Sequence, residues 1–387
     1  MNLNGIWYMT ITNETDIDPI IDTEILVPFS PETPLSGVQK QLLPGQVLWY
    51  EQQFDISNLI NKGRILLHFG AVDQFCEVFI NNAMAGEHDG GYLPFTIDIT
   101  NFVDNIIKIT LKIIDNIDKD GAAYGKQRLD RGEIWYTATS GIWQTVWIES
   151  VPSTYLSNVK VTPVFDISAV EFLPEIIGDD YLIGKVTVYD GSKKIAEGTL
   201  TKGSKTVVRI YNTKYWSPES PYLYKLIYEF NGETIESYFA MRKFSIGTDS
   251  KGIKRLFLNN KPYFHRGLLD QGYWSDGYYT APSDEAMIFD ITKMKSLGFN
   301  MLRKHIKIEP LRWYYHCDRL GMIVWQDAVS GGGPYNTMII SVLPFIGMDD
   351  LPDNKYDLFG RSSEIGRNNY YRDLKAMVNH LYNCPCI

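Results

Sequence analysis

The chain lacks the features that mark several specialised classes. No basic run occurs in its 387 residues, and acidic residues outnumber basic ones by 46 to 37, for a formal net charge of −9. Nucleic acids and anionic membrane surfaces are gripped by clustered Lys and Arg, so both are excluded as partners. No apolar stretch reaches the ~18–20 residues that span a bilayer, so a membrane helix is excluded too. The start, Met1-Asn2-Leu3-Asn4-Gly5-Ile6-Trp7, has no charged segment followed by an apolar one and does not read as a signal peptide. Cysteine is scarce: Cys76, Cys317, Cys384 and Cys386. The pair around Pro385 is closer than zinc-ligand pairs usually stand, and no histidine group accompanies it. Free buried thiols in a reducing cytoplasm are the expectation, with no metal and no cofactor. No internal repeat is visible. What is abundant is aromatic: 13% of residues, including 25 Tyr and 9 Trp. Such rings fill cores and also make platforms for sugar faces.

Residues 1 to about 150 read as all-β. Ile107, Ile109, Leu111 and Ile113 alternate with Lys108, Thr110 and Lys112, the pattern of a strand with one buried face. Cys76, Val78 and Ile80 alternate likewise, and Gly, Asn and Asp clusters punctuate the runs. A two-sheet jelly-roll sandwich is the natural packing. Val151-Pro152-Ser153 marks a boundary. Residues 153–247 carry about seven short strands without cysteine, which predicts an immunoglobulin-like sandwich.

From about residue 253 the period changes. Ser283 is an N-cap with Asp284 and Glu285 in the first turn, Met287, Ile291 and Met294 recur on one face, and Gly298 ends the helix. Met301-Leu302 is a short apolar strand. Pro310 opens a second helix as its first residue and Gly321 closes it. Met322-Ile323-Val324-Trp325 reads as a strand covered on both faces. A loop from 328 to 362, starting Ala328-Val329-Ser330-Gly331-Gly332-Gly333-Pro334, precedes a third helix with Leu374, Met377, Val378 and Leu381 on one face. Residues 253–387 thus predict three βα units of an incomplete (β/α)8 TIM barrel, a fold that needs eight strands to close.

Barrel active sites form at the carboxyl ends of strands. Those ends are read here as Arg266 to Gln271, Arg303-Lys304-His305 and Gln326-Asp327. Asp270, Gln271, Arg303, His305 and Asp327 are candidate substrate-binding residues, with Asp130 reaching over from the Arg128–Arg131 loop of the first sandwich. An Arg303–Asp327 structural salt bridge and a solvated loop at Asp130 are the competing readings. His305 reads as a base, a hydrogen-bond donor or a packed side chain. Asp270 and Asp327 resemble an acid–nucleophile dyad in type, but retention needs carboxyls ~5 Å apart and their strands are not adjacent.

These residues are embedded in strings that resemble glycoside hydrolase family 2, the β-galactosidase, β-glucuronidase and β-mannosidase group. The strings run through the whole chain. Val27-Pro28-Phe29-Ser30-Pro31-Glu32, Gly90-Gly91-Tyr92-Leu93-Pro94-Phe95 and Ser140-Gly141-Ile142-Trp143-Gln144-Thr145-Val146-Trp147 resemble its sugar-binding jelly-roll. Trp216-Ser217-Pro218-Glu219-Ser220-Pro221-Tyr222-Leu223-Tyr224 resembles its immunoglobulin-like domain. Asn260-Lys261-Pro262, Arg266-Gly267, Gly298-Phe299-Asn300, Leu302-Arg303 and Cys317-Asp318-Arg319-Leu320-Gly321 resemble the opening of its barrel. Gln271 stands where many β-galactosidases carry a substrate-binding His, and Arg303-Lys304-His305-Ile306 replaces their Arg-x-Ser-His. The resemblance implies an exo-acting retaining β-glycosidase. It places the acid/base Glu and the nucleophile Glu after residue 387, so no catalytic residue is assigned and the 387 residues alone are expected to be inactive. An open barrel is expected to self-associate. A non-catalytic carbohydrate-binding protein, or a subunit completed by another chain, stays open as an alternative.

Overall fold

The computed structural model describes residues 1–16, 18–59, 62–117, 121–333, 336–348, 351–352 and 354–387. Alternating strands at the amino-terminal end form a six-stranded antiparallel sheet. Its order is Thr23–Val27, Gly5–Asn13, Gln46–Asp55, Ile106–Ile114, Phe75–Ile80, Ala83–Asp89. A three-stranded sheet of Val146–Pro152, Gly63–Phe69 and Phe95–Asp98 shares its core. Ile107, Ile109, Leu111 and Ile113 are fully buried there. Their polar neighbours meet acids on the outer face, Lys108 with Glu51 at 3.1 Å and Lys112 with Glu77 at 2.8 Å. Period 2 thus sets both the core and the charge ladder.

The next seven strands form two sheets. One is Tyr155–Val164, Ala169–Ile177 and Thr206–Arg209; the other is Lys193–Thr201, Ile183–Asp190, Tyr224–Phe230 and Glu233–Phe239. Val170, Phe172, Val186, Leu226 and Phe239 fill the space between them. A small antiparallel sheet of Phe244–Thr248, Lys254–Leu258 and Lys261–Pro262 leads into the α/β segment.

That segment has three parallel strands in sequential order: Gly267–Asp270, Met301–Lys304 and Ile323–Gln326. The helix Asp284–Ser296 is capped as its sequence predicts, with Ser283 Oγ accepting from Ala286 N. The second helix, Leu311–Leu320, starts one residue later than expected, with Pro310 as its N-cap, and ends at Gly321 in the left-handed region. The strand boundaries differ more. Residues 267–270, 303–304 and 326 lie inside strands rather than after them, because their backbones continue the parallel pairing, Asp270 opposite Lys304 and Lys304 opposite Gln326. Trp325 is 45% exposed, so the third strand is not covered on both faces. The 328–362 stretch is not plain loop. It forms the turn Met338–Val342, Leu343–Phe345 and the single turn Tyr356–Phe359, while 334, 335, 349, 350 and 353 fall outside the described residues. The last helix, Glu364–His380, buries Met377 and packs Leu381, but Val378 is 54% exposed and lies off that face.

Two buried tryptophans are among the contacts that join the α/β segment to the sandwiches. The Trp216 indole, fully buried, donates to Asp318 O at 2.7 Å, and Asp318 accepts from Cys386 N at 2.7 Å and Tyr238 OH at 2.8 Å. Burial pushes the Asp318 carboxyl up to about 6 against those hydrogen bonds. On the other side Trp143 packs against Tyr279, its Nε1 donates to Gly91 O at 2.7 Å, and its carbonyl accepts from Thr280 Oγ1 at 2.7 Å. The conspicuous Gly90–Phe95 and Ser140–Trp147 strings therefore fasten the first sandwich to the segment that follows the first parallel strand.

Candidate functional site

Strand alternation divides the candidate residues between two faces. Register pairs Leu269 with Arg303 and Arg303 with Trp325, and Asp270 with Lys304. Leu268, Leu302, Asp270 and Lys304 face the helices. Leu269, Arg303 and Trp325 form an exposed row on the other side.

On the open side Asp327 gathers two side chains. Arg303 donates to it through Nε at 3.0 Å and Nη2 at 2.9 Å, a bidentate fork, and His305 Nδ1 lies 2.7 Å from Oδ2. Burial pushes the Asp327 carboxyl up, but these two partners outweigh it and hold the group below the usual carboxylate range. An oriented carboxylate beside a guanidinium and an imidazole can accept from and donate to sugar hydroxyls.

On the helix side a chain of buried charges runs along the strand ends. Lys304 Nζ meets Asp270 Oδ1 at 2.9 Å and Glu309 Oε1 at 2.8 Å; Lys307 Nζ meets Glu309 Oε1 at 2.9 Å. Lys304 is 1% exposed and Lys307 0%. Two acids and two bases balance, as buried charges must. Burial drives the Asp270 carboxyl up, but the Lys304 ammonium prevails and holds it low. The lysines part company. Burial pulls Lys307 down to about 8, whereas Asp270 and Glu309 more than offset burial at Lys304 and raise it. Lys304 has two carboxylate partners and Lys307 one.

Asp270 and Gln271 line a cleft of about 270 Å³ with Tyr136, Tyr273, Trp274, Asp290 and Lys304. Tyr136 of the first sandwich stacks on Tyr273 at 4.1 Å, and Lys126 Nζ donates to Gln271 Oε1 at 3.2 Å. The first sandwich thus reaches the strand ends. Its Gln127–Arg128 and Tyr136–Thr137 pair as short parallel strands, and Arg128 lies 3.7 Å over the Trp135 ring. Asp130 sits exposed in the loop between those strands, apart from both groups.

The six candidates therefore fall into an Arg303–His305–Asp327 cluster, an Asp270–Gln271 wall and an outlying Asp130. Asp270 is held by Lys304 and Asp327 by Arg303 and His305, so the two carboxylates belong to different groups of partners. Sequence reasoning missed Lys307, Glu309, Tyr136 and Tyr273. The one available signal was the Lys304, Lys307, Glu309 spacing directly after an apolar strand. Among the described residues no three His, Cys, Asp or Glu side chains gather to hold a metal ion, and no helix is long and apolar enough to cross a membrane. All four cysteines are free and buried.

Residues 26–152 match the sugar-binding domain of glycosyl hydrolases family 2, and residues 154–244 match a second domain of glycosyl hydrolases family 2. The chain belongs to glycosyl hydrolase family 2. Among its relatives in this family is a putative β-glucuronidase of Formosa agariphila, 28% identical over 355 residues, covering 88% of this chain and 38% of that protein. A β-galactosidase of Thermoanaerobacter pseudethanolicus is 25% identical over 305 residues, covering 73% of this chain and 39% of its own. The fold is similar to the solved β-glucuronidase of an uncultured Clostridium species, with a TM-score of 0.79 at 20% identity over 100% of this chain and 65% of that one. The chain therefore spans well under half of these curated family 2 relatives and about two thirds of that solved structure.

Proposed function

We propose that these residues are the amino-terminal share of an exo-acting retaining β-glycosidase that hydrolyses O-glycosidic bonds. Residues 1–150 act as the sugar-binding jelly-roll, 153–247 as the immunoglobulin-like sandwich, and 253–387 as the first three units of a TIM barrel. The observation that carries this reading is the Arg303–His305–Asp327 cluster at the carboxyl ends of parallel strands, where barrels build their sites, in a chain of this family. Asp327 and Arg303 hold sugar hydroxyls from the open face, Asp270 and Gln271 wall the neighbouring cleft, and Asp130 lies at the rim. The acid/base and nucleophile roles belong to none of residues 1–387, so this chain by itself turns over no glycoside.

The test pairs activity with binding. Pure 1–387 is expected to release no nitrophenol above background from 4-nitrophenyl β-galactoside or β-glucuronide, yet to bind one of them by calorimetry. Robust turnover that is lost on Asp327→Asn would assign Asp327 a catalytic role and overturn this reading. The exposed Leu269, Trp325, Phe264 and Ile246 support a second reading, self-association of the chain through the open barrel. Sedimentation at micromolar concentration then shows self-association, and a clean monomer counts against it.

A further inference from the structure

Lys307 is the least explained group in the molecule. It follows the second parallel strand, carries a charge, and is fully buried. An ammonium has three hydrogens, and each has an acceptor: Gly272 O at 2.6 Å, Tyr279 O at 2.7 Å and Glu309 Oε1 at 2.9 Å. The faces of Tyr279 and Trp143 close the remaining sides, 5.2 and 5.6 Å from Nζ. Two of the acceptors are backbone carbonyls near either end of the 271–280 loop. That loop begins where the first strand ends, and its side chains Gln271 and Tyr273 form the cleft wall against Lys126 and Tyr136.

The loop is shaped to receive this clamp. Gly272 has φ +60°, and a Cβ there would press on Glu309 Oε1 and stand 2.9 Å from Lys307 Nζ and 3.0 Å from Lys304 Nζ. Gly272 N donates to Asp270 Oδ1 at 2.8 Å, and Asp270 in turn pairs with Lys304. Lys304 and Lys307 share Glu309 Oε1, and they tie the end of the second strand to that of the first through Asp270 and Gly272 O. An apolar residue would fill the volume without the desolvation that a buried ammonium incurs. What the ammonium adds is three directed hydrogen bonds, two of them to the loop backbone.

We propose that Lys307 is a positioning residue for glycoside binding, clamping the 271–280 loop through Gly272 O and Tyr279 O so that Gln271 and Tyr273 are held in the cleft wall. This rests on the reading that the cleft belongs to the glycoside site, so two readouts are needed. Lys307→Met removes the clamp. Lys307→Met with Glu309→Gln removes it while keeping the cluster neutral through Asp270 and Lys304, which preserves the fold. Gly272→Ala displaces the loop from its own side without removing a charge. Hydrogen exchange over 271–280 is expected to quicken by about tenfold or more in all three variants, with exchange in the sandwich strands unchanged. Affinity for 4-nitrophenyl β-galactoside or β-glucuronide is expected to fall about tenfold, because the wall is no longer pre-formed. The double variant is expected to keep the thermal midpoint of the parent, a split that a purely structural lysine would not give. Unchanged exchange across 271–280 overturns the clamp. Faster exchange with unchanged affinity overturns the positioning role. If the parent binds neither glycoside, the cleft is not their site. That result sinks the glycoside reading and the positioning role together, while exchange still decides whether the clamp exists.

Discussion

Asp327→Asn separates a binding cluster from a structural salt bridge. The Arg303 side chain is 48% exposed and that of Asp327 20%. Solvent screening therefore limits the pair to roughly 1 kcal/mol of stability, in spite of its bidentate geometry. The new amide nitrogen would stand where Oδ2 now accepts from Arg303 Nη2 and His305 Nδ1, so two of three hydrogen bonds go. In a chain of this size that lowers the thermal midpoint by about 2 °C or less. Binding is a different matter. A charged hydrogen bond to a sugar hydroxyl is worth about 1.5–3 kcal/mol, which corresponds to an affinity loss of about 10- to 150-fold. Calorimetry with a nitrophenyl β-glycoside and differential scanning on the same samples measure both. The acid limb adds a check. Because the folded-state pKa of Asp327 is depressed, its stabilisation is present above the unfolded value and is lost as pH falls through the lower folded value. The variant should lose less stability on acidification than the parent. A midpoint drop of many degrees with unchanged glycoside affinity would show that the pair holds the sheet together and does nothing else.

Trp216→Ala should cost about 3–5 kcal/mol, because it empties a fully buried indole site and strands Asp318 O without a donor; a denaturant midpoint close to the parent's would contradict the weld described above. Burial raises the Glu32 carboxyl to about 7, even though it accepts from Ser140 Oγ at 2.6 Å. A raised folded-state pKa means its contribution is complete below about 4.5 and is lost as pH climbs to about 7, a fall of about 3 kcal/mol. Glu32→Gln should flatten that limb of the stability profile, and an unaltered slope would refute the assignment. Burial pushes the Cys76 thiol up to about 12 and the Cys317, Cys384 and Cys386 thiols well above their ordinary value. Iodoacetamide should therefore label them only in denaturant; rapid native labelling at any of the four would show an opening that the packing does not allow.

Much of this protein was legible in one dimension because its determinants are local. The Ile107–Ile113 alternation fixes a strand and its buried face. Ser283 with Asp284 and Glu285 fixes a helix start, and Gly321 a helix end, because capping needs only neighbours along the chain. The strings around Gly90, Ser140 and Trp216 pointed to the family without any coordinates. The failures share one cause. Polar residues after an apolar run read as the end of a strand, yet Asp270, Arg303 and Lys304 lie within strands. Inside a strand, successive side chains point to opposite faces, so neighbours in sequence part company in space. Only register decided that Asp270 looks toward the helices while Arg303 and Asp327 look away, and so split a list of candidates that seemed contiguous. The two buried lysines were beyond sequence reasoning for a stricter reason. Whether a charge can be buried depends on what surrounds it in space. The groups that make Lys307 tenable, from Gly272 and Tyr279 to Glu309 and Trp143, are brought together by the packing of the first sandwich on the strand ends.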